Sequence, residues 1–197
     1  MMFTKQYEQA IALIDKAYQE NTELVSVDGV EYPKEFLYAK RMIAALEAFQ
    51  KDASEEVYLA ARCQHLFRWE IPRNTYPMDR KGYHQWRTYL YTYQANKTED
   101  ILNEVAYNAD SIGIIKDMIE KKNLKSSTDS QLLEDVVCVV FLEFYLDDFI
   151  AKHKEDKEKL KRIIKNTWLK MSDQGHQAAL KISFKEDVKS LVLEAVS

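Results

Sequence analysis

"SSTDSQLLEDVVCVVFLEFYLDDFIAKH", Ser126 to His153, is the stretch on which the fold class turns. Its centre, Val136 to Tyr145, is β-branched and aromatic enough to pass for a buried strand, because such side chains suit a pleated, half-buried surface. Length and flanks argue the other way. The pattern extends well past twenty residues and polar capping residues precede it. A segment of that length, apolar on nearly every side, reads as a helix in the middle of a bundle. The spacing predicts one long helix from "SSTDSQ" to about Lys152.

The rest of the chain agrees with an all-α reading: a single-domain helical bundle of about eight to nine helices over residues 1–197. Tyr7, Ile11, Ile14 and Tyr18 share a face at helical spacing. Asp28-Gly29 marks a turn, and Pro33 a first helical position. A second helix runs to about Phe49, and a third, capped by Asp52 with Glu55, from Ser54 to about Trp69. Pro72 stops it, and "PRNTYPMD" reads as a connector stiffened by its prolines. A fourth helix follows from about Arg80 to Gln94, a short fifth capped at Thr98, and a sixth in "NADSIGIIKDMIEKK". After the long central helix come one over Glu155 to Lys170 and a piece around "QGHQAAL". Residues 185–197 read as a short docking helix or a tail.

Composition bounds the function. Only four Gly and three Pro in 197 residues disfavour β-rich architectures, which consume turn residues. A formal net charge of −4 argues against a general binder of long nucleic acid, whose affinity rests on neutralising phosphates. Anion affinity would have to come from a local patch. Cys63 and Cys138 read as small buried thiols in a reducing compartment. With no secretory pattern in "MMFTKQYEQA" and no apolar run near the ~20 residues of a membrane span, a cytoplasmic location is expected.

The local patch is visible. Five of the seven arginines, Arg62, Arg68, Arg73, Arg80 and Arg87, fall within 26 residues, together with His65, Trp69 and Trp86. Elsewhere the chain uses lysine. Guanidinium groups donate paired hydrogen bonds to carboxylate or phosphate and stack on aromatic faces. If the third helix continues to Trp69, Arg62, His65 and Trp69 lie on one side of it, with Arg68 beside them. Architecture is the competing explanation. Asp135, Glu143 and Asp147 fall within about a third of the central helix's circumference at ~100° per residue, with Glu134 one step round. Acids on an apolar helix need partners, and arginines could supply them. His65 is a candidate general base or metal ligand and equally a half-buried helix residue.

The runs "AARCQHLFRWEIPRNTYPMDRKGYHQWRT", "EDVVCVVFLEFYLDDFIAKH" and "TWLKMSDQGHQAAL" resemble the uncharacterised proteins grouped as domain of unknown function 4202, over about Tyr7 to Ile182. Where that pattern carries His at position 94, this chain has Gln94. A second resemblance is to the His-Asp metal phosphohydrolase superfamily, a helical fold that holds a divalent metal over a phosphate ester. It implies a ligand set of Glu35, Gln64, His65 and Asp135, with His65 and Asp135 as catalytic residues and Mn or Mg as the ion. The set departs from that pattern, because Gln64 replaces a histidine and His65 an aspartate, and a neutral amide is a poor ligand beside imidazole or carboxylate.

Three readings follow. In the first, a degenerate His-Asp-type phosphohydrolase acts on a phosphate-bearing small molecule or nucleotide. Arg62, Arg68, Arg73, Arg80 and Arg87 clamp the anion and Trp69 or Trp86 offers a stacking surface. In the second, the same residues form a binding module for a nucleotide, RNA or protein partner. In the third, they form a structural Arg–carboxylate network. No phosphate-binding Gly-rich loop, HExxH, CxxC or G-x-S-x-G motif points elsewhere.

Overall fold

A computed structural model describes residues 3–123 and 126–196. The fold is predominantly all-α, with ten α-helices and one two-stranded hairpin among the described residues. The chain divides into two compact units, Met1–Ser130 and Gln131–Ser197.

The first unit holds α1 (Lys5–Tyr18), β1 (Leu24–Val27), β2 (Val30–Pro33), α2 (Lys34–Phe49), α3 (Glu55–Cys63), α4 (Arg80–Glu104) and α5 (Ala109–Ile119). The Asp28-Gly29 turn does more than redirect the chain. Both residues have positive φ, 51° and 79°, the geometry whose twist matches antiparallel strands, so β1 and β2 pair with Val27 opposite Val30. Helix α2 starts at Lys34, with Pro33 just outside it. Helix α3 is the centre of this unit: Val57, Leu59, Ala60, Ala61 and Cys63 are fully buried, and α3 packs on α1, α2, α4 and α5. Ser54 caps it by accepting from the Val57 N–H.

Ser54 thus takes the capping place expected of Asp52 with Glu55, and further sequence expectations change here. The third helix ends at Cys63, six residues before Trp69. Phe67 adopts a left-handed backbone at φ 57°, which a helix cannot continue through, and Arg68–Glu70 form a separate 3-10 turn. The expected fourth and fifth helices are one 25-residue helix, α4. Thr98 does not cap; it is buried mid-helix, its hydroxyl donating to the Gln94 carbonyl at 2.8 Å, so it follows the helix rather than opening one.

In the second unit, the debated stretch is helical. It forms α6 (Thr128–Phe144) and α7 (Leu146–His153), separated at Tyr145, whose φ of −128° takes it out of helical geometry. The expected single helix to Lys152 is therefore two. Leu132, Leu133, Val136, Cys138, Val139, Val140 and Leu142 are buried, whereas Glu143 and Asp147 are exposed. Then come α8 (Lys157–Trp168), α9 (Asp173–Ala179) and α10 (Glu186–Val196). The C-terminal segment is a helix packed on α8 and tied to it by Lys161–Glu194 at 2.6 Å; Ser197 lies outside the described residues. No described helix is long and apolar enough to cross a membrane.

Candidate functional site

Four segments of the first unit converge on one imidazole. The hairpin and Pro33 aim the chain into α2, which places Glu35 and, one turn on, Tyr38. His65 sits just beyond α3. The left-handed Phe67, costly for a bulky residue, folds the chain so that the Arg68 N–H donates to the His65 carbonyl at 3.1 Å. The fourth segment, α4, contributes Tyr83, Trp86, Arg87 and Tyr91.

The contacts are specific. His65 Nδ1 lies 2.7 Å from Glu35 Oε2, and His65 Nε2 lies 3.0 Å from an Arg68 guanidinium nitrogen. Since guanidinium can only donate, Nε2 accepts, Nδ1 carries the proton, and His65 is neutral. The Tyr38 ring stacks on the imidazole at 3.7 Å and 12°. Arg68 Nε is 3.7 Å from the other Glu35 oxygen, and its guanidinium carbon lies 4.7 Å over the Trp86 ring. Trp86 is buried, and its indole N–H donates to the Ile71 carbonyl at 2.9 Å.

Electrostatics agree with that tautomer. Burial, and then the Arg68 charge, push His65 down to about 4, against the opposing pull of Glu35. Burial alone would raise the Glu35 carboxyl, but the charge that His65 carries once protonated, then the His65 hydrogen bond and the Arg68 charge, outweigh it and hold it below the usual range. Arg68 is lowered by burial, with the like charge of Arg87 adding to it.

The remaining candidates are placed as follows. Arg62 donates to Asp15 through Nε at 2.9 Å and through a terminal nitrogen, and lies over Phe36. Arg73 donates to three backbone carbonyls of its own connector, Tyr76 at 3.0 Å, Pro77 at 2.7 Å and Asp79 at 3.2 Å. That clamp, more than the prolines, shapes the connector. Arg80 is exposed in the first turn of α4. Trp69 packs against Tyr18 and Phe67. Arg87 donates to the Tyr91 hydroxyl, a neutral group, and has no acid partner among the described residues. On the same side of α4, seven residues on, Gln94 is 2% exposed and its Nε2 has no protein acceptor among the described residues.

Of the expected metal ligands, Glu35 and His65 pair with each other, whereas Gln64 and Asp135 bond to other groups. Gln64 turns its amide back to the Ala60 carbonyl at 3.2 Å. Asp135 belongs to the second unit, where Ser172 N–H (2.8 Å), the Ser172 hydroxyl and Gln131 Nε2 (3.1 Å) all donate to it. Beside it Glu134 pairs with Lys170 at 3.3 Å. Among the described residues no group of three or more His, Cys, Asp or Glu side chains could hold a metal ion. A guanidinium over the His65 lone pair also stands where a cation would have to bind. The acid that partners His65 is Glu35. Sequence reading singled out both residues, Glu35 as a metal ligand and His65 as a general base or metal ligand; Tyr38, Tyr83 and Tyr91 it missed. Their positions one turn from Glu35 and Arg87 were the available signal.

These features define a predominantly all-α protein whose first unit carries a half-buried Glu–His–Arg cluster beside a second half-buried arginine. The family model described as Domain of unknown function (DUF4202) matches residues 8–192, and the chain belongs to that family. The match runs past the expected limit at Ile182 into α10. No curated protein and no solved structure matches the chain.

Proposed function

We propose that the chain binds a small phosphate-bearing molecule across Arg68 and Arg87. The observation that carries this reading is the charge balance. Arg68 and Arg87 are positive, His65 is neutral, and Glu35 is the one carboxylate among them. A half-buried guanidinium answered only by a phenol is costly unless an anion completes it, and a phosphate accepts from two arginines at once. Arg62 and Arg73 are already engaged within the first unit, by Asp15 and by three connector carbonyls, and serve the fold.

Isothermal titration with inorganic phosphate tests this. Wild type is expected to bind, with Arg68→Ala and Arg87→Ala each weakening the affinity at least about tenfold. Absence of binding, or variants that bind as well as wild type, would leave the arginines purely architectural.

A turnover reading is favoured by one further observation: Glu35 fixes the Nδ1–H tautomer of His65, which is how a carboxylate prepares an imidazole as a general base. When an anion draws Arg68 aside, Nε2 is freed to take a proton from water attacking a phosphate ester. The donors around His65 do not fit a divalent ion, since Arg68 occupies the Nε2 lone pair. Phosphate release from 4-nitrophenyl phosphate, lost in His65→Gln while phosphate binding persists, is the expected result; no release from wild type leaves a binding module.

A further inference from the structure

Given Arg68 and Arg87 as the anion site, the neighbouring aromatic rings define what the anion carries. Both tryptophans expected to stack on a ligand are engaged: Trp86 is 5% exposed under Arg68, with its N–H on Ile71, and Trp69 packs on Tyr18 and Phe67. The Tyr38 ring is covered by His65, and the Tyr91 hydroxyl accepts from Arg87. Tyr83 differs from all of these. It is 44% exposed and lies one helical turn before Arg87 on α4.

Its position is fixed from behind. The Arg73 guanidinium, immobilised by three carbonyls, lies 5.9 Å from the ring centre, and Trp86 meets it tilted at 6.0 Å. The residue before it, Gly82, is pressed so closely on Pro77 that a Cβ would overlap the Pro77 carbonyl, and its N–H donates to Asp79 at 2.7 Å. The first turn of α4 is thereby locked to the connector. An exposed aromatic ring held this rigidly loses little freedom on stacking. Residues i and i+4 stand about 5–6 Å apart, which suits a ring borne on the same ester as the phosphate.

We infer that Tyr83 is a specificity residue of this site, a stacking platform that selects phosphate monoesters carrying a planar ring over inorganic phosphate and aliphatic esters. The inference rests on the anion reading of Arg68 and Arg87, and the two can fail separately.

The test is a titration panel of inorganic phosphate, n-butyl phosphate, phenyl phosphate and adenosine 5′-monophosphate against wild type, Tyr83→Ala, Tyr83→Phe and Arg87→Ala. At least one ring-bearing ester is expected to bind wild type about tenfold tighter than n-butyl phosphate, in keeping with stacking strengths measured by alanine substitution. Tyr83→Ala is expected to erase that preference while inorganic phosphate binds as before, and Tyr83→Phe to keep it. Phenyl phosphate above the nucleotide assigns an aryl ester; the reverse order assigns a nucleotide. Equal affinity for butyl and ring-bearing esters, or an unchanged preference in Tyr83→Ala, overturns the Tyr83 assignment and leaves the anion site standing. Wild type and Arg87→Ala that bind inorganic phosphate equally, or not at all, overturn both.

Discussion

Two acids of this chain, the half-buried Glu35 and the buried Asp135, have opposite surroundings. Asp135 accepts from a backbone N–H, a hydroxyl and a side-chain amide, and Gly175 packs so tightly on it that a Cβ would come within 2.5 Å of Oδ1. Every contact comes from its own unit and none brings a surplus charge. Glu35 shares its carboxylate between a neutral imidazole and a guanidinium, with a second guanidinium, Arg87, that no acid among the described residues answers. The lesson is that a buried carboxylate indicates a site only through what its partners leave unbalanced. A carboxylate saturated by neutral donors closes a structure; one embedded among excess cations leaves room for a ligand.

The comparison can be broken most forcefully at Asp135. Asp135→Ala strips three donors of their acceptor and is expected to cost about 3 kcal/mol, read as a lower urea midpoint, with Gly175→Ala costing about 1–3 kcal/mol by overpacking. A loss under about 1 kcal/mol would mean that this network is no tighter than the one around Glu35.

Acid sharpens the other half. His65 is lowered from 6.5 to about 4 on folding, so between those values the unfolded chain binds the extra proton and acidification favours unfolding. The stabilising contribution is complete above pH 6.5 and disappears as pH falls toward 4. It amounts to about 2 kcal/mol after allowing for the 20% of the side chain still exposed. Glu35, held below its usual range, adds a loss in the same direction at lower pH. Urea unfolding across this range should show the slope in wild type and a flatter one in His65→Gln; equal slopes would place the proton elsewhere.

Smaller effects separate the arginines. Arg62→Ala is expected to cost about 1 kcal/mol of stability, being a partly exposed pair with Asp15, and to leave phosphate affinity unchanged. Arg80→Ala should change stability by less than about 0.5 kcal/mol and affinity not at all, since Arg80 is exposed. Weaker phosphate binding in either variant would extend the site beyond Arg68 and Arg87.

Part of the Glu35–His65–Arg68 cluster was legible in the sequence. The density of arginine and aromatic residues between Arg62 and Arg87 drew attention to the segment that holds His65, Arg68 and Arg87, and His65 and Glu35 were both singled out. Their relationship was not legible, because the third helix reads as running to about Trp69, where Pro72 would stop it. The left-handed turn at Phe67 gives no signal in composition: a bulky residue there is held by packing, against its own preference. Thr98 misled for a related reason, since a hydroxyl that caps a helix can also bond back within one.

By itself the sequence determined the helical class, because Val136 to Tyr145 sits in a pattern too long for a strand and the chain has too few turn residues for a sheet. It also determined which residue types gather near His65. Only the tertiary structure decided which arginine meets which acid. Partner choice depends on where α3 ends and how the Arg73-clamped connector returns α4, and those are outcomes of three-dimensional packing that no local propensity encodes.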